Sequence, residues 1–68
     1  MRRYSITGKY FDGSDYYEDQ LDIDELQLAI NTIKRLDTHY MNKVRQSQIA
    51  LPHEYVNFRT IVIDVMEE

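Results

Sequence analysis

The stretch DIDELQLAINTIKRLDTHYMNKVR, residues 22–45, decides the fold of this chain. Its apolar residues recur at spacings of three and four, which is the period of one face of an α-helix. Asp22 is followed three residues later by Glu25, and this pair is typical of a capping box at a helix start. The far end carries basic side chains, the sign that a helix C-terminus prefers. The pattern predicts one long amphipathic helix over residues 22–46.

The residues before the helix predict a hairpin. Residues 2–10 alternate between apolar and polar side chains in the manner of a strand. Asp12-Gly13 is a pair that readily takes positive φ in a tight turn. The segment after the turn is rich in charge, as edge strands often are. We therefore expect a hairpin over residues 2–21.

The residues after the helix predict one more strand. Residues 47–57 form a connecting segment, and Pro52 ends any helix before it. FRTIVIDVM, residues 58–66, is rich in β-branched side chains and alternates. Both of its faces are mostly apolar, which indicates a central strand or one covered by a second subunit. Because the helix crosses back over the sheet, we expect this strand to lie parallel to the first.

These elements predict a single α+β domain over residues 1–68. It has a three-stranded sheet in strand–strand–helix–strand order, with the long helix packed across one face. A chain of 68 residues without cysteine lies near the lower size limit for folding alone. We therefore expect a homodimer or an obligate protein partner.

The sequence is not expected to contain a membrane-spanning or secretory segment. No apolar run approaches the ~20 residues of a membrane span, and none follows the N-terminal arginines as in a signal peptide. The sequence thus predicts a cytoplasmic protein with no membrane partner.

Catalytic, metal and cofactor sites are not expected. The only histidines, His39 and His53, lie in unrelated segments, whereas a zinc site usually needs three or four protein ligands. Asp12-Gly-Ser-Asp15 lacks the other ligands of a calcium loop. A sheet covered by one helix also offers little room for a pocket that shifts pKa values. We interpret the chain as a non-enzyme without a metal or cofactor.

The distribution of charge is more informative than the net charge of −4. Residues 12–25 hold seven carboxylates and no base, and we call this segment the acidic block. Direct nucleic-acid binding needs a basic stripe, which this chain lacks. An acidic block that contains two tyrosines can instead imitate DNA and occupy the groove of a DNA-binding enzyme. The alternative is that the acid only keeps an edge strand soluble and caps the helix.

Leu28 adds an apolar element to this surface. It lies off the apolar stripe of the helix, so we expect it to be exposed and to help dock a partner or a second subunit. The candidate partner-binding residues are the acids and tyrosines of the hairpin, the acids of the first helical turn and this leucine: Asp12, Asp15, Tyr16, Tyr17, Glu18, Asp19, Asp24, Glu25 and Leu28.

The segment FDGSDYYEDQLDIDELQLAI, residues 11–30, together with the last strand, resembles a known family. Its Asp-Gly turn, Tyr-Tyr-Glu strand and leucine-led acidic helix start are similar to the small uracil-DNA glycosylase inhibitors of Bacillus phages. The resemblance implies a phage protein that covers the DNA-binding face of a host enzyme. It places Glu18 and Glu25 on the acidic face, with Tyr16 and Tyr17 beside it.

A second family shares the layout. The small RNA-polymerase inhibitor of short-tailed coliphages is similar in its strand–strand–helix–strand order and in its acidic helix start. Both resemblances imply an inhibitor that binds a host enzyme. The first implies a DNA mimic with uracil-DNA glycosylase as the target. The second implies a protein-binding module without mimicry.

Overall fold

The helix begins at the capping signal in the sequence. The computed structural model describes residues 2–52 and 54–66, and the long helix, α1, spans Ile23–Arg45. The Asp22 carboxylate accepts a hydrogen bond from the Glu25 N–H at 2.7 Å, and the Glu25 carboxylate accepts one from the Asp22 N–H at 3.2 Å. This reciprocal pair is the capping box that the sequence predicts. The helix is therefore fixed at its first residue.

Four residues lie outside the described part of the chain. They are Met1, Glu67 and Glu68 at the ends of the predicted domain, and His53 in the predicted connecting segment.

The helix ends in a C-terminal cap of two backbone hydrogen bonds, which the sequence did not predict. The Ser47 N–H donates to the Val44 carbonyl at 2.9 Å, and the Gln48 N–H donates to the Lys43 carbonyl at 3.0 Å. These two bonds form a Schellman motif, with Ser47 in the left-handed conformation at φ 58°. Glycine is the usual residue at this position of the motif. Because this chain has a serine there, the motif cannot be recognised from the sequence.

A hairpin precedes the helix, as expected. Strand β1 spans Arg3–Lys9 and pairs antiparallel with strand β2, Asp15–Leu21. Gly13 takes positive φ in the turn, at 89°, and the Asp12 carboxylate accepts a hydrogen bond from the Ser14 N–H at 2.9 Å. The register shifts in the stretch of β1 between Tyr4 and Ile6, where Gln20 on β2 has a φ of 58°. This bulge lies at the end of β2 that leads into the helix.

The last strand differs from the prediction in length, direction and position. Strand β3 spans Val62–Met66 and pairs antiparallel with β1, and the strand order is β2-β1-β3. The expectation that it lies parallel to the first strand is therefore wrong. It is also an edge strand rather than a central one, and Phe58–Thr60, predicted as strand, forms a 3-10 turn. The fold class, α+β with a three-stranded sheet and one long helix, is confirmed.

Side-chain hydrogen bonds explain why the strand begins late. The Asn57 side chain accepts a hydrogen bond from the Arg59 N–H at 3.0 Å and so caps the 3-10 turn. The Thr60 hydroxyl accepts one from the Lys9 N–H at 2.9 Å and donates to the Asn57 carbonyl at 2.8 Å. A hydroxyl thus takes the place of a ladder carbonyl beside the end of β1. Such local bonds compete with regular pairing even where the residues favour strand.

The direction of β3 follows from where the connecting segment docks. The Phe11 N–H donates to the Tyr55 carbonyl at 2.9 Å, and Tyr10 forms a bridge with Val56. The chain therefore returns to the sheet at the end where β1 finishes. A strand that starts there and pairs with β1 must run against it. It shares its direction with β2, two positions away in the sheet.

The buried core is small. Ile6, Leu26, Ile33 and Tyr55 are the buried apolar side chains among the described residues. The 23 residues of α1 extend about 35 Å, whereas the seven residues of β1 extend about 23 Å. The radius of gyration is 13.3 Å, against about 11 Å for a compact chain of this length. The helix thus overhangs the sheet, and its second half is packed by the connecting segment.

Within residues 2–52 and 54–66, no helix has the length and apolar character needed to cross a bilayer.

Candidate protein-binding cleft

Strand β2 presents its side chains alternately to the two faces of the sheet. Glu18 lies opposite Ile6, which is fully buried under the helix, so Glu18 and Tyr16 point to the helix side. Tyr17 lies opposite Thr7 and points to the other side. The acidic block of the sequence is therefore divided between two faces.

A cleft of about 390 Å³ opens between β2 and the first half of α1. Its floor is apolar and its rim carries carboxylates, with Leu28 standing out from the helix at 69% exposure. The exposure expected for Leu28 from its position on the helix is confirmed. The lining residues are Tyr16, Glu18, Leu21, Glu25, Leu28, Ala29, Thr32 and Ile33.

Four predicted site residues meet at this cleft, although they come from two elements. Tyr16 and Glu18 come from β2, and Glu25 and Leu28 come from α1. The helix begins two residues after β2 ends, so its first turns lie alongside the strand. An apolar floor with an acidic rim suits a protruding apolar side chain flanked by lysine or arginine.

Tyr16 and Glu18 act as one unit on the rim. The Tyr16 hydroxyl donates a hydrogen bond to the Glu18 carboxylate, and the ring packs edge-to-face on Tyr10 with centroids 5.8 Å apart. Burial, and then the hydrogen bond and negative charge of Glu18, raise the pKa of Tyr16 above its usual value. The Tyr16 phenol therefore stays protonated at physiological pH and keeps its hydrogen bond to Glu18.

The opposite face repeats the arrangement. The Tyr17 hydroxyl donates to the Asp19 carboxylate at 3.2 Å, and Tyr17 is 59% exposed. Asp15 forms an ion pair with Lys9, its cross-strand neighbour on β1. The sequence YYED thus gives each face of the strand a tyrosine bonded to a carboxylate two residues later. The period of two in a strand could have revealed this pairing from the sequence.

Two further predicted residues lie apart from the cleft. Asp12 organises the hairpin turn, where its carboxylate accepts from both the N–H and the hydroxyl of Ser14, at 2.9 and 2.6 Å. Asp24 is exposed in the first turn of α1. Asp12 therefore shapes the turn, and Asp24 adds negative charge to the first turn of α1.

A second cleft, of about 400 Å³, was not anticipated. It lies between β1, the second half of α1 and the connecting segment, and it includes both Lys9 and Arg59. Tyr55 lines this cleft: the residue is 6% exposed, and its hydroxyl donates a hydrogen bond to the Asp37 carboxylate. No periodic pattern in the sequence predicts this cleft, because the segment around Pro52 is irregular.

In the described part of the chain, no group of three or more histidine, cysteine, aspartate or glutamate side chains is arranged to hold a metal ion.

Comparisons of this chain with protein-family models, with curated proteins and with solved structures find no match.

Proposed function

We propose that this protein is a small acidic inhibitor, of the kind that phages encode, that binds a host DNA-binding enzyme in the cytoplasm by imitating DNA. The observation that carries the proposal is the cleft between β2 and α1, with its apolar floor and the carboxylates of Glu18 and Glu25 at its rim. Uracil-DNA glycosylase is the first candidate target, because of the resemblance of residues 11–30 to its phage inhibitors.

The shape of β2 supports mimicry. It is an edge strand with carboxylates on both faces, Glu18 on the helix side and Asp19 on the other. A groove that holds a DNA duplex has cations on both walls. A thin edge that is acidic on both faces can pair with both walls at once, whereas a single acidic patch would pair with one.

The cleft between β2 and α1 supplies an apolar contact, which the charged residues of the interface cannot provide. Rim charges mainly speed association and add salt sensitivity, while affinity comes from apolar anchors that exclude water. Leu28 and the cleft floor provide such an anchor site. The proposed complex therefore combines an acidic rim with one apolar contact at its centre.

A uracil-excision assay tests the target. Excess protein is expected to abolish excision, and DNA is expected to displace it from the enzyme. The double variant Glu18→Gln/Glu25→Gln should weaken inhibition about tenfold and reduce its dependence on salt. Glutamine at position 25 can still complete the capping box, so the fold should be kept.

The matched control is Glu54→Gln, which removes one carboxylate at an exposed position outside the cleft. It should leave inhibition unchanged. Full excision activity at saturating protein would exclude uracil-DNA glycosylase as the target. Binding to any captured enzyme that neither DNA nor salt weakens would exclude mimicry itself.

The exposure of Leu28 favours a second function, a protein-binding module without mimicry, such as an inhibitor that binds RNA polymerase. Leu28→Ser should weaken binding under either function, but without mimicry the double glutamine variant would have little effect. An in vitro transcription assay that is inhibited by the protein at high salt would support this function over mimicry.

A further inference from the structure

Strand β3 leaves β-branched side chains open to solvent on both faces of the sheet. Ile63 and Val65 lie on the helix side, opposite Ile6 and Tyr4, yet they are 44% and 49% exposed. Val62, on the other face, is 55% exposed. A strand that is apolar on both faces has the composition of a buried strand. Here the helix covers neither face of it fully.

The outer edge of β3 also has backbone groups to offer. The Thr7 hydroxyl donates to the Val62 carbonyl at 3.4 Å, so that carbonyl faces β1. Backbone groups alternate in direction along an antiparallel ladder. The N–H and C=O groups of Ile63 and Val65 therefore point away from β1, to the edge where the described sheet ends.

The two edges of the sheet differ in their protection. The β2 edge carries Glu18 and Asp19 and is interrupted by the bulge near Gln20. Charges and bulges are the usual devices that keep an edge from pairing with another chain. Strand β3 has no bulge in its pairing with β1, and Asp64 is the single charged residue between Val62 and Met66. A basic target would be drawn to the acidic cleft, so a charge-poor edge requires a different partner.

The chain as a whole exposes more surface than a compact monomer of its mass. The chain exposes 5039 Å², whereas a folded monomer of 8.2 kDa exposes about 4500 Å². The excess, about 500 Å² per chain, corresponds to about 1000 Å² for two chains. This matches the lower limit for a specific interface.

We propose that the free edge of β3 pairs antiparallel with β3 of a second copy, which joins two sheets into one of six strands. An antiparallel edge complements itself about a twofold axis, as a symmetric dimer requires. Placing the axis at Ile63 sets Val62 opposite Asp64 of the second copy. Shifting the register so that Ile63 faces Val65 would set Asp64 against its own copy, which like charges oppose.

Sedimentation equilibrium on the full chain tests this interface. The wild-type protein is expected to be a dimer at about 50 μM. Val62→Glu places a carboxylate opposite Asp64 twice per dimer, and we expect it to raise the dimer dissociation constant at least about tenfold. Val62→Lys places a cation there and should keep the dimer.

The matched control is Asn31→Glu, which adds the same charge at an exposed position of α1 outside both clefts and should leave the dimer intact. Amide exchange provides a readout without mutation: the N–H groups of Ile63 and Val65 should lose protection on dilution. A wild-type protein that is monomeric at 100 μM would overturn the proposal. Equal effects of the two Val62 variants, or no change in protection on dilution, would do so as well.

Discussion

Ser47 holds a backbone conformation that glycine adopts at lower cost. Its φ is 58°, and its N–H completes the Schellman motif at the end of α1. The left-handed region costs a residue with a Cβ about 1 kcal/mol or more. We expect Ser47→Gly to raise the free energy of unfolding by about 1 kcal/mol, measured by urea denaturation.

The neighbouring cap residue provides the control for this prediction. Gln46 has an ordinary φ of −83°, so Gln46→Gly relieves no backbone strain. It only increases the conformational entropy of the unfolded chain. It should lower stability by about 0.5–1 kcal/mol. Equal effects of the two glycines would show that the conformation of Ser47 carries no strain.

Tyr55 joins the connecting segment to the helix through one side chain. Its hydroxyl donates to Asp37, and its ring packs edge-to-face on Tyr40 with centroids 6.1 Å apart. A hydrogen bond to a charged group contributes about 1.5–3 kcal/mol. Tyr55→Phe should lower the free energy of unfolding at pH 8 by about that amount. Tyr40→Phe keeps both the ring and the Tyr55–Asp37 hydrogen bond, so it should lower the free energy of unfolding by less.

The same residue predicts a dependence on pH. Burial and the hydrogen bond to Asp37 raise the pKa of Tyr55 to about 12, while a tyrosine in the unfolded chain ionises near pH 10. The stabilisation is therefore complete below about pH 10 and is lost as the pH rises towards 12. The stability difference between wild type and Tyr55→Phe should shrink over that range. A constant difference would contradict the role of the hydroxyl.

At the scale of elements, the start of α1 depends on Asp22. Its carboxylate accepts from the Glu25 N–H, and this bond holds the pKa of Asp22 below its usual value. Asp22→Ala should lower the melting temperature by about 4–8 °C, the range expected when a domain of this size loses one helix cap. Asp24→Ala removes the same charge from the first turn without removing the cap, and should change it by less.

Acid should reduce the difference in melting temperature between the wild-type protein and Asp22→Ala. A carboxylate with a lowered pKa stabilises the fold above its unfolded value, near pH 4, and the benefit is lost as the pH falls through the folded pKa. Thermal melts at pH 7 and at pH 2.5 measure this. A difference that persists undiminished at pH 2.5 would show that the carboxylate charge is not what caps the helix.

Local signals predicted the elements that are fixed locally. The capping box, the apolar stripe and Gly13 lie within a few residues of what they determine, and they predicted the helix and the hairpin correctly. The start of β3 could not be predicted, because it depends on the Thr60 hydroxyl meeting Lys9, 51 residues away. Its direction could not be predicted either, because it depends on where Tyr55 docks.

The sequence predicted which residues belong to the candidate site, but it did not predict how they are arranged in space. Charge alone selected the residues of the acidic block, and the period of two in a strand puts Glu18 and Tyr17 on opposite faces, but only the register of β2 on β1 shows that Glu18 lies on the helix side. The meeting of Glu18 with Leu28 at one cleft needed the position of α1 over the sheet. A pattern in sequence specifies neither the register nor that position.

At the scale of the whole molecule, the protein is extended rather than round, with dimensions of 46 × 22 × 14 Å. Few apolar side chains are buried, and the acidic cleft and the β3 edge lie at opposite edges of the sheet. A target bound at the cleft and a second copy bound at β3 would therefore not compete. A dimer would present two clefts, one at each end of a six-stranded sheet.

The bulge in β2 has a consequence for how far such assembly can go. A sheet with two open edges can add chains at both ends without limit, which is the route to fibres. Here the bulge near Gln20 and the acids of β2 close one edge, so each chain has a single edge through which it can add another. Once two β3 strands have paired, both outer edges of the joined sheet are β2. In the proposed dimer, addition of further chains through the sheet would therefore stop at two, because the irregular backbone of β2 that leads into the helix would form both outer edges.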